Sequence, residues 1–180
     1  MTLNVGHNVD TYELGGGVVS AAYWDGINPP EEADFFDLGN ASAFGYQVTV
    51  TMLEHKSSRG GQMVVDKKVV KEKGYTCSVT LDEPNIVNLA MFLKGEISGN
   101  TILALENPNQ EVALRFVSDN DAGENHIADF WRASIEPNGE FQEVSLDNWK
   151  ELKMNFTGLE DSANHPTNAY FKVVKVDITT

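Results

Sequence analysis

Alternation of apolar and polar positions is the strongest pattern in this chain. Phe44, Tyr46, Val48, Val50 and Met52 fall on one side, and Gly45, Gln47, Thr49, Thr51 and Leu53 on the other. A period of two with many β-branched residues predicts a strand over 44–54. Its second face is polar except for Leu53, so that face is expected to meet water. Residues 75–81 repeat the pattern, with Tyr75, Cys77, Val79 and Leu81 set against Thr76, Ser78 and Thr80. The two strands are expected to pair as a hairpin whose connection is residues 55–74. Hairpin loops are usually about 2–5 residues, and much longer ones are functional or disordered. Val64-Val65 and Val69-Val70 give this long connection apolar grips that a purely solvated loop would not need.

A different period appears at 82–94. Ile86, Leu89, Ala90 and Leu93 follow helical spacing, with Val87 and Phe92 widening the stripe. Asp82 is the expected N-cap, Pro84 sits in the first turn, and Lys94-Gly95 supplies the stop. Further strands are expected at 112–117, 130–135, 149–157 and 170–178. Asn138-Gly139 marks a turn. Residues 1–35 hold Gly15-Gly16-Gly17 and Asn28-Pro29-Pro30, and read as an extended arm with a strand-like piece at 18–24. One helix among six or more strands predicts a mainly β chain: an antiparallel β-sandwich or barrel with one packed α-helix at about residues 82–94. At 180 residues a single domain, 1–180, is expected. The arm and the 55–74 loop carry too little apolar surface to pack alone, and are expected to order on assembly.

Charge changes the picture of the long connection. Lys56, Arg59, Lys67, Lys68, Lys71 and Lys73 lie within 55–74 against only Asp66 and Glu72, a net of +4 on a chain whose total is −14. A basic, valine-bearing arm on an acidic body is complementary to another copy of itself. The acidic remainder argues against holding nucleic acid tightly, because phosphate binding needs clustered cations. No segment reaches the apolar length of a membrane helix, no secretory signal is expected, and one cysteine excludes an internal disulfide framework.

The candidate chemistry is thin. His7, His55, His126 and His165 match no zinc spacing. Asp119 to Glu124 has the composition of a calcium loop, but its glycine is one position early and a polar hairpin tip is the expected reading. Ser57-Ser58-Arg59-Gly60-Gly61 lacks the ending of a phosphate loop. Cys77 has no nucleophile signature around it and reads as core, and Trp24, Trp131 and Trp149 each have a place in the core. No enzymatic activity, cofactor or metal is expected.

The run Phe36 to Phe44, then the alternating strand, the charged loop with Ser57-Ser58-Arg59-Gly60-Gly61, and the returning strand and helix form one ordered pattern. Pro137-Asn138-Gly139-Glu140, Asp147 to Leu152, His165-Pro166 and Tyr170-Phe171-Lys172-Val173 continue it. Over roughly residues 35–180 this order resembles the tail tube proteins of long-tailed bacteriophages. The resemblance implies a β-sandwich with a flanking helix, six copies closing into a ring, and rings stacking into a tube. It implies that the long loop touches a neighbouring copy through Lys56, Arg59, Val64, Val65, Lys67, Lys68, Val69, Val70, Lys71 and Lys73. The implied partners are the chain itself, a tape-measure protein, and tail terminator and tip proteins, with DNA only in transit through the channel. The implied place is the virion tail, after synthesis in a bacterial cytoplasm. An inner-tube subunit of a contractile tail or secretion apparatus shares this logic. A soluble β-sandwich that binds a ligand is the alternative from a different class.

Overall fold

The computed structural model describes residues 13–176. Its strands are β1 (Leu14–Tyr23), β2 (Phe36–Asp37), β3 (Ala41–Ser57), β4 (Val64–Leu81), β5 (Glu96–Ser98) and β6 (Thr101–Leu103). They continue with β7 (Glu111–Ala122), β8 (Asn125–Pro137), β9 (Leu152–Gly158) and β10 (Phe171–Val176); the helix α1 is Ile86–Phe92. All pairings are antiparallel, in the order β2-β1-β7-β8-β9-β4-β3, with β10 also pairing β8.

Strand β8 is where this sheet divides. Its first half lies between β7 and β10, with Phe130 opposite both Leu114 and Phe171. Its second half pairs β9, with Ile135 opposite Phe156. The β9-β4-β3 branch therefore folds back over the β1-β7-β8-β10 branch. Aromatic side chains bridge the layers: Phe44 of β3 stacks on Phe116 of β7 at 5.1 Å, and Tyr46 meets Phe130 at 5.3 Å and Phe171 at 5.9 Å. The alternating apolar face of each strand supplies the core. Cys77, Val79 and Leu81 from β4, Leu152, Met154 and Phe156 from β9, and Val112 and Leu114 from β7 are all buried.

The architecture is a sandwich-like antiparallel fold, and the barrel alternative is corrected. At the seam where β1 and β3 approach, Gly15–Gly17 and Ala41–Phe44 line one crevice, but β1 and β3 are not paired. Aromatic rings fill that seam in place of backbone hydrogen bonds: Gly17 lies flat against the Phe116 ring, leaving no room for a Cβ.

The helix is shorter than its periodicity predicts. Asn85, not Asp82, is the N-cap, and its side-chain oxygen accepts from the backbone N–H groups of Val87 and Asn88. Asp82 is still engaged with the sheet: its N–H donates to the Asn40 carbonyl, and its carboxylate accepts from the Asn40 amide. The cap falls just after Pro84, which restricts the residue before it to an extended conformation. Asn88 is buried and brackets the helix to the chain before it, donating to the carbonyls of Leu38 (2.7 Å) and Glu83 (3.0 Å). Ala90, Met91 and Phe92 are buried, whereas Ile86 stays exposed. Lys94 takes a left-handed φ of 51° and Gly95 closes the stop, pressed against Ile102 and Leu103 of the β5–β6 hairpin. That small hairpin has no counterpart in the sequence reading.

Two other expectations change. Residues 14–23 are a fully paired strand against β7, not a free arm; the rest of the expected arm before residue 13 lies outside the described residues. Trp149 is 90% exposed and precedes β9, which starts at Leu152. β10 is described as far as Val176, and the rest of the strand expected at 170–178 lies outside the described residues. Among the described residues no helix is long and apolar enough to cross a membrane.

Candidate assembly surface

The expected 55–74 loop is not a loop. β3 and β4 stay in register as far as Ser57 opposite Val64, and only residues 58–63 form the turn, where Gly60 and Gly61 have φ of 93° and 80°. The correction has a physical cause. The Val-Val pairs and the lysines between them alternate well enough to face β3, provided two residues are looped out. Register shifts between Thr51/Met52 and between His55/Lys56 leave Lys71 and Asp66 as those extra residues. Beyond the pair Val48 and Tyr75 the two strands form a ribbon that extends on the order of 30 Å at strand rise.

The register assigns the ribbon's two faces. On the face continuous with the core lie Tyr46, Val48, Val50 and Met52, with Val70, Lys68, Val65 and Lys73 from β4 opposite or beside them. On the other face Gln47, Thr49 and Thr51 meet Thr76, Gly74 and Glu72, and nearer the tip Leu53 meets Val69, His55 meets Lys67 and Ser57 meets Val64. Each Val-Val pair thus gives one valine to each face. Val48, Val50, Met52 and Val70 are all at least 50% exposed, so an apolar stripe runs out of the core onto an open surface. A stripe of this kind on a single copy marks an interaction surface.

Backbone groups are left open as well. β3 ends the sheet order, and β4 is paired to β9 only over Thr76–Leu81. Along β3 no charged residue and no proline occurs from Phe44 to Leu53. Natural monomers guard such an edge with lysine, proline or very short strands. Here the guards are missing where the edge is longest.

Ion pairing sorts the ten candidate residues further. Lys68 pairs with Glu54 at 2.6 Å, Lys71 with Glu72 at 3.1 Å, and His55 with Asp66 at 2.6 Å. Among the described residues Lys56, Arg59, Lys67 and Lys73 have no carboxylate partner; Lys73 instead lies 5.3 Å above the Tyr170 ring. Arg59 stands at the turn itself, and Met63 beside it is 72% exposed.

The ribbon is rooted by Tyr75. Its buried hydroxyl donates to the Arg132 carbonyl at 2.9 Å, its ring packs on Phe130 and Phe171, and Gly158 lies against its edge with no space for a Cβ. Burial pushes the Tyr75 hydroxyl and the neighbouring Cys77 thiol well above their ordinary pKa values, so both stay protonated.

A second feature lies at the opposite end of β3. The 25–37 segment and the start of α1 enclose a cleft of about 910 Å³. Tyr23, Pro29, Pro30, Phe36, Ile86 and Val87 form its apolar lining. Asp25, Glu31, Asp34 and Asp37 add four carboxylates, none with an ion-paired cation among the described residues. The backbone N–H groups of Ile27 and Asn28 donate to Asp25, both at 2.7 Å, and hold its carboxyl below the usual aspartate range. Nothing in the sequence shows that these acids share a site. No local motif announces the cleft, because it forms only when α1 packs beside β2.

The remaining candidates have structural roles. Gly123-Glu124 is the turn of the β7–β8 hairpin, tied by Asn120, Asn125 and Ser118 side chains, as the polar-tip reading expected. His165 stacks on Trp131 at 4.0 Å and bonds the buried Asp161 at 2.7 Å. Among the described residues no cluster of histidine, cysteine and carboxylate groups is placed to hold a metal.

The fold and surface define a mainly β, antiparallel protein whose open feature is a long edge ribbon. Residues 12–102, which include the ribbon and α1, match the family described as "Protein of unknown function UCP028589", and the chain belongs to that family. No curated protein matches the chain.

Proposed function

We propose that this chain is a self-assembling structural subunit, of the kind that builds the tail tube of a long-tailed bacteriophage. The observation that carries this reading is the ribbon: an apolar stripe continuous with the core, two backbone edges and four cations that have no partner among the described residues, all on one projecting hairpin. Each of these is a cost to a solitary molecule and a contact for a polymer. Edge pairing between copies satisfies the backbone, and heterologous contacts close into rings or continue into a tube. The polar face at Gln47, Thr49 and Thr51 suits a water-filled channel, and the net charge of −14 suits one that DNA passes without sticking. Electron microscopy of negatively stained protein across a concentration series, with light scattering alongside, tests the proposal. Rings or hollow tubes are expected. A monodisperse monomer at every concentration would contradict it.

A further inference from the structure

We infer that the acidic cleft between the 25–37 segment and α1 receives the hairpin tip, residues 56–67, of a second copy of this chain. The inference rests on the self-assembly reading and adds its acceptor.

Three observations carry it. The first is complementarity of charge. Among the described residues, Lys56, Arg59 and Lys67 at the tip have no carboxylate partner, and the four carboxylates of the cleft have no cation. Each set lacks what the other has. The second is complementarity of surface. Met63, Val64 and Val65 are exposed at the tip, and Phe36, Ile86 and Val87 line the cleft. The cleft's 910 Å³ is in the range that admits side chains of a narrow hairpin end. The tip is narrow because Gly60 and Gly61 make its turn.

The third is placement. β3 starts at Ala41, just after Asp37 of the cleft, and runs to Ser57 at the tip, on the order of 50 Å at strand rise. Tip and cleft therefore sit at opposite ends of the molecule. A copy cannot fill its own cleft, so the contact is heterologous and repeats head to tail, which is the geometry of stacking and not of a closed pair. Lysine and arginine at the tip, with carboxylates at the far end, also reject the reversed, tip-to-tip encounter.

The test is a charge exchange between two variants. Lys56→Glu/Arg59→Glu/Lys67→Glu reverses the tip. Asn28→Lys/Glu31→Lys/Asp37→Lys sets three lysines against the remaining Asp25 and Asp34, which shape its turns, and so makes the cleft net basic. Glu31→Lys/Asp37→Lys/Ile86→Lys, with the same net charge, is a second cleft variant. Each is checked for folding by circular dichroism, then mixed and followed by light scattering and electron microscopy. Each variant alone should need on the order of 100-fold more protein to assemble than wild type, from like charges brought together. An equimolar mixture of a tip variant and a cleft variant should regain most of that loss, because a basic cleft then meets an acidic tip. If wild type assembles and the variants assemble equally well alone, the cleft is not the acceptor, although self-assembly stands. If each variant fails and the mixture fails too, the pairing of tip with cleft is overturned. If wild type itself never assembles, the underlying reading falls and this inference with it.

Discussion

Replacing Tyr75 by alanine should loosen the root of the ribbon and remove about 3–5 kcal/mol of stability, the usual cost of truncating a buried aromatic. Most of that comes from the ring. Tyr75 is 2% exposed and packs on Phe130 at 5.2 Å and Phe171 at 5.3 Å. The hydroxyl contributes little of it. Arg132's carbonyl, which accepts from Tyr75, also accepts from the Leu159 N–H at 2.9 Å, so Tyr75→Phe leaves no orphaned acceptor. That variant should cost only about 1 kcal/mol. Gly158 gives an independent handle on the same contact. A Cβ there would enter the van der Waals envelope of the Tyr75 ring, and the ring is too tightly held to swing away. Gly158→Ala should therefore cost about 1–3 kcal/mol by overpacking. In a Tyr75→Ala background the same change meets a vacated space and should be nearly silent, a coupling of about 1–3 kcal/mol. Urea unfolding followed by circular dichroism on the four proteins measures this cycle. Additive penalties, or a Tyr75→Phe loss as large as that of Tyr75→Ala, would refute the account of how the ribbon is anchored.

Other consequences follow from single contacts. Asn85→Ala removes the acceptor for two backbone N–H groups of α1 and should cost about 1 kcal/mol in urea unfolding, whereas Asp82→Ala, away from the cap, should not shorten the helix. Burial raises the Cys77 thiol, so labelling by a thiol reagent at pH 8 should track global unfolding; rapid labelling of the native protein would contradict that burial. Asp25 titrates lower in the folded chain, so its contribution is present above the ordinary aspartate value near ~3.9 and is lost as pH falls through the lower folded value. Asp25→Asn should therefore be less stable than wild type at neutral pH and converge with it in acid; a difference that persists unchanged at low pH would refute this. Joining Val50 to Lys73 through Asn-Gly deletes no buried residue and should change the stability of the body by less than about 1 kcal/mol.

Much of the sheet was legible because each core strand is buried on one face and alternates cleanly. Tyr75 to Leu81 shows this; Phe44 to Leu53 alternates as cleanly although its apolar face lies open from Tyr46 outward, and the predicted faces of both match the register. The ribbon between them was illegible as strand for a specific reason. Its apolar residues come in adjacent pairs, and two bulges are needed to bring Val65 and Val70 back onto one face. A pattern of period two cannot display an inserted residue. The helix start was misplaced because Asp82 and Asn85 are both good caps by type, and only the bond from Asp82 to Asn40 assigns Asp82 to the sheet. Trp149 was read as a core residue opening the strand expected at 149–157, but the strand starts at Leu152 and the segment before it leaves Trp149 outside. The basic half of the candidate surface is contiguous in sequence and could be read directly. The four acids of the other half also lie in one segment, 25–37, but the apolar wall that Ile86 and Val87 of α1 add to make a cleft required the fold.

The most direct test of the central claim compares wild type with the variant whose ribbon is shortened between Val50 and Lys73, by sedimentation velocity across a hundredfold range of concentration. The account predicts a wild type that shifts to large assemblies as concentration rises, and a shortened variant, equally folded, that stays a monomer throughout. Identical sedimentation of the two, whether both assemble or both remain monomers, would contradict the claim that the ribbon is the organ of assembly.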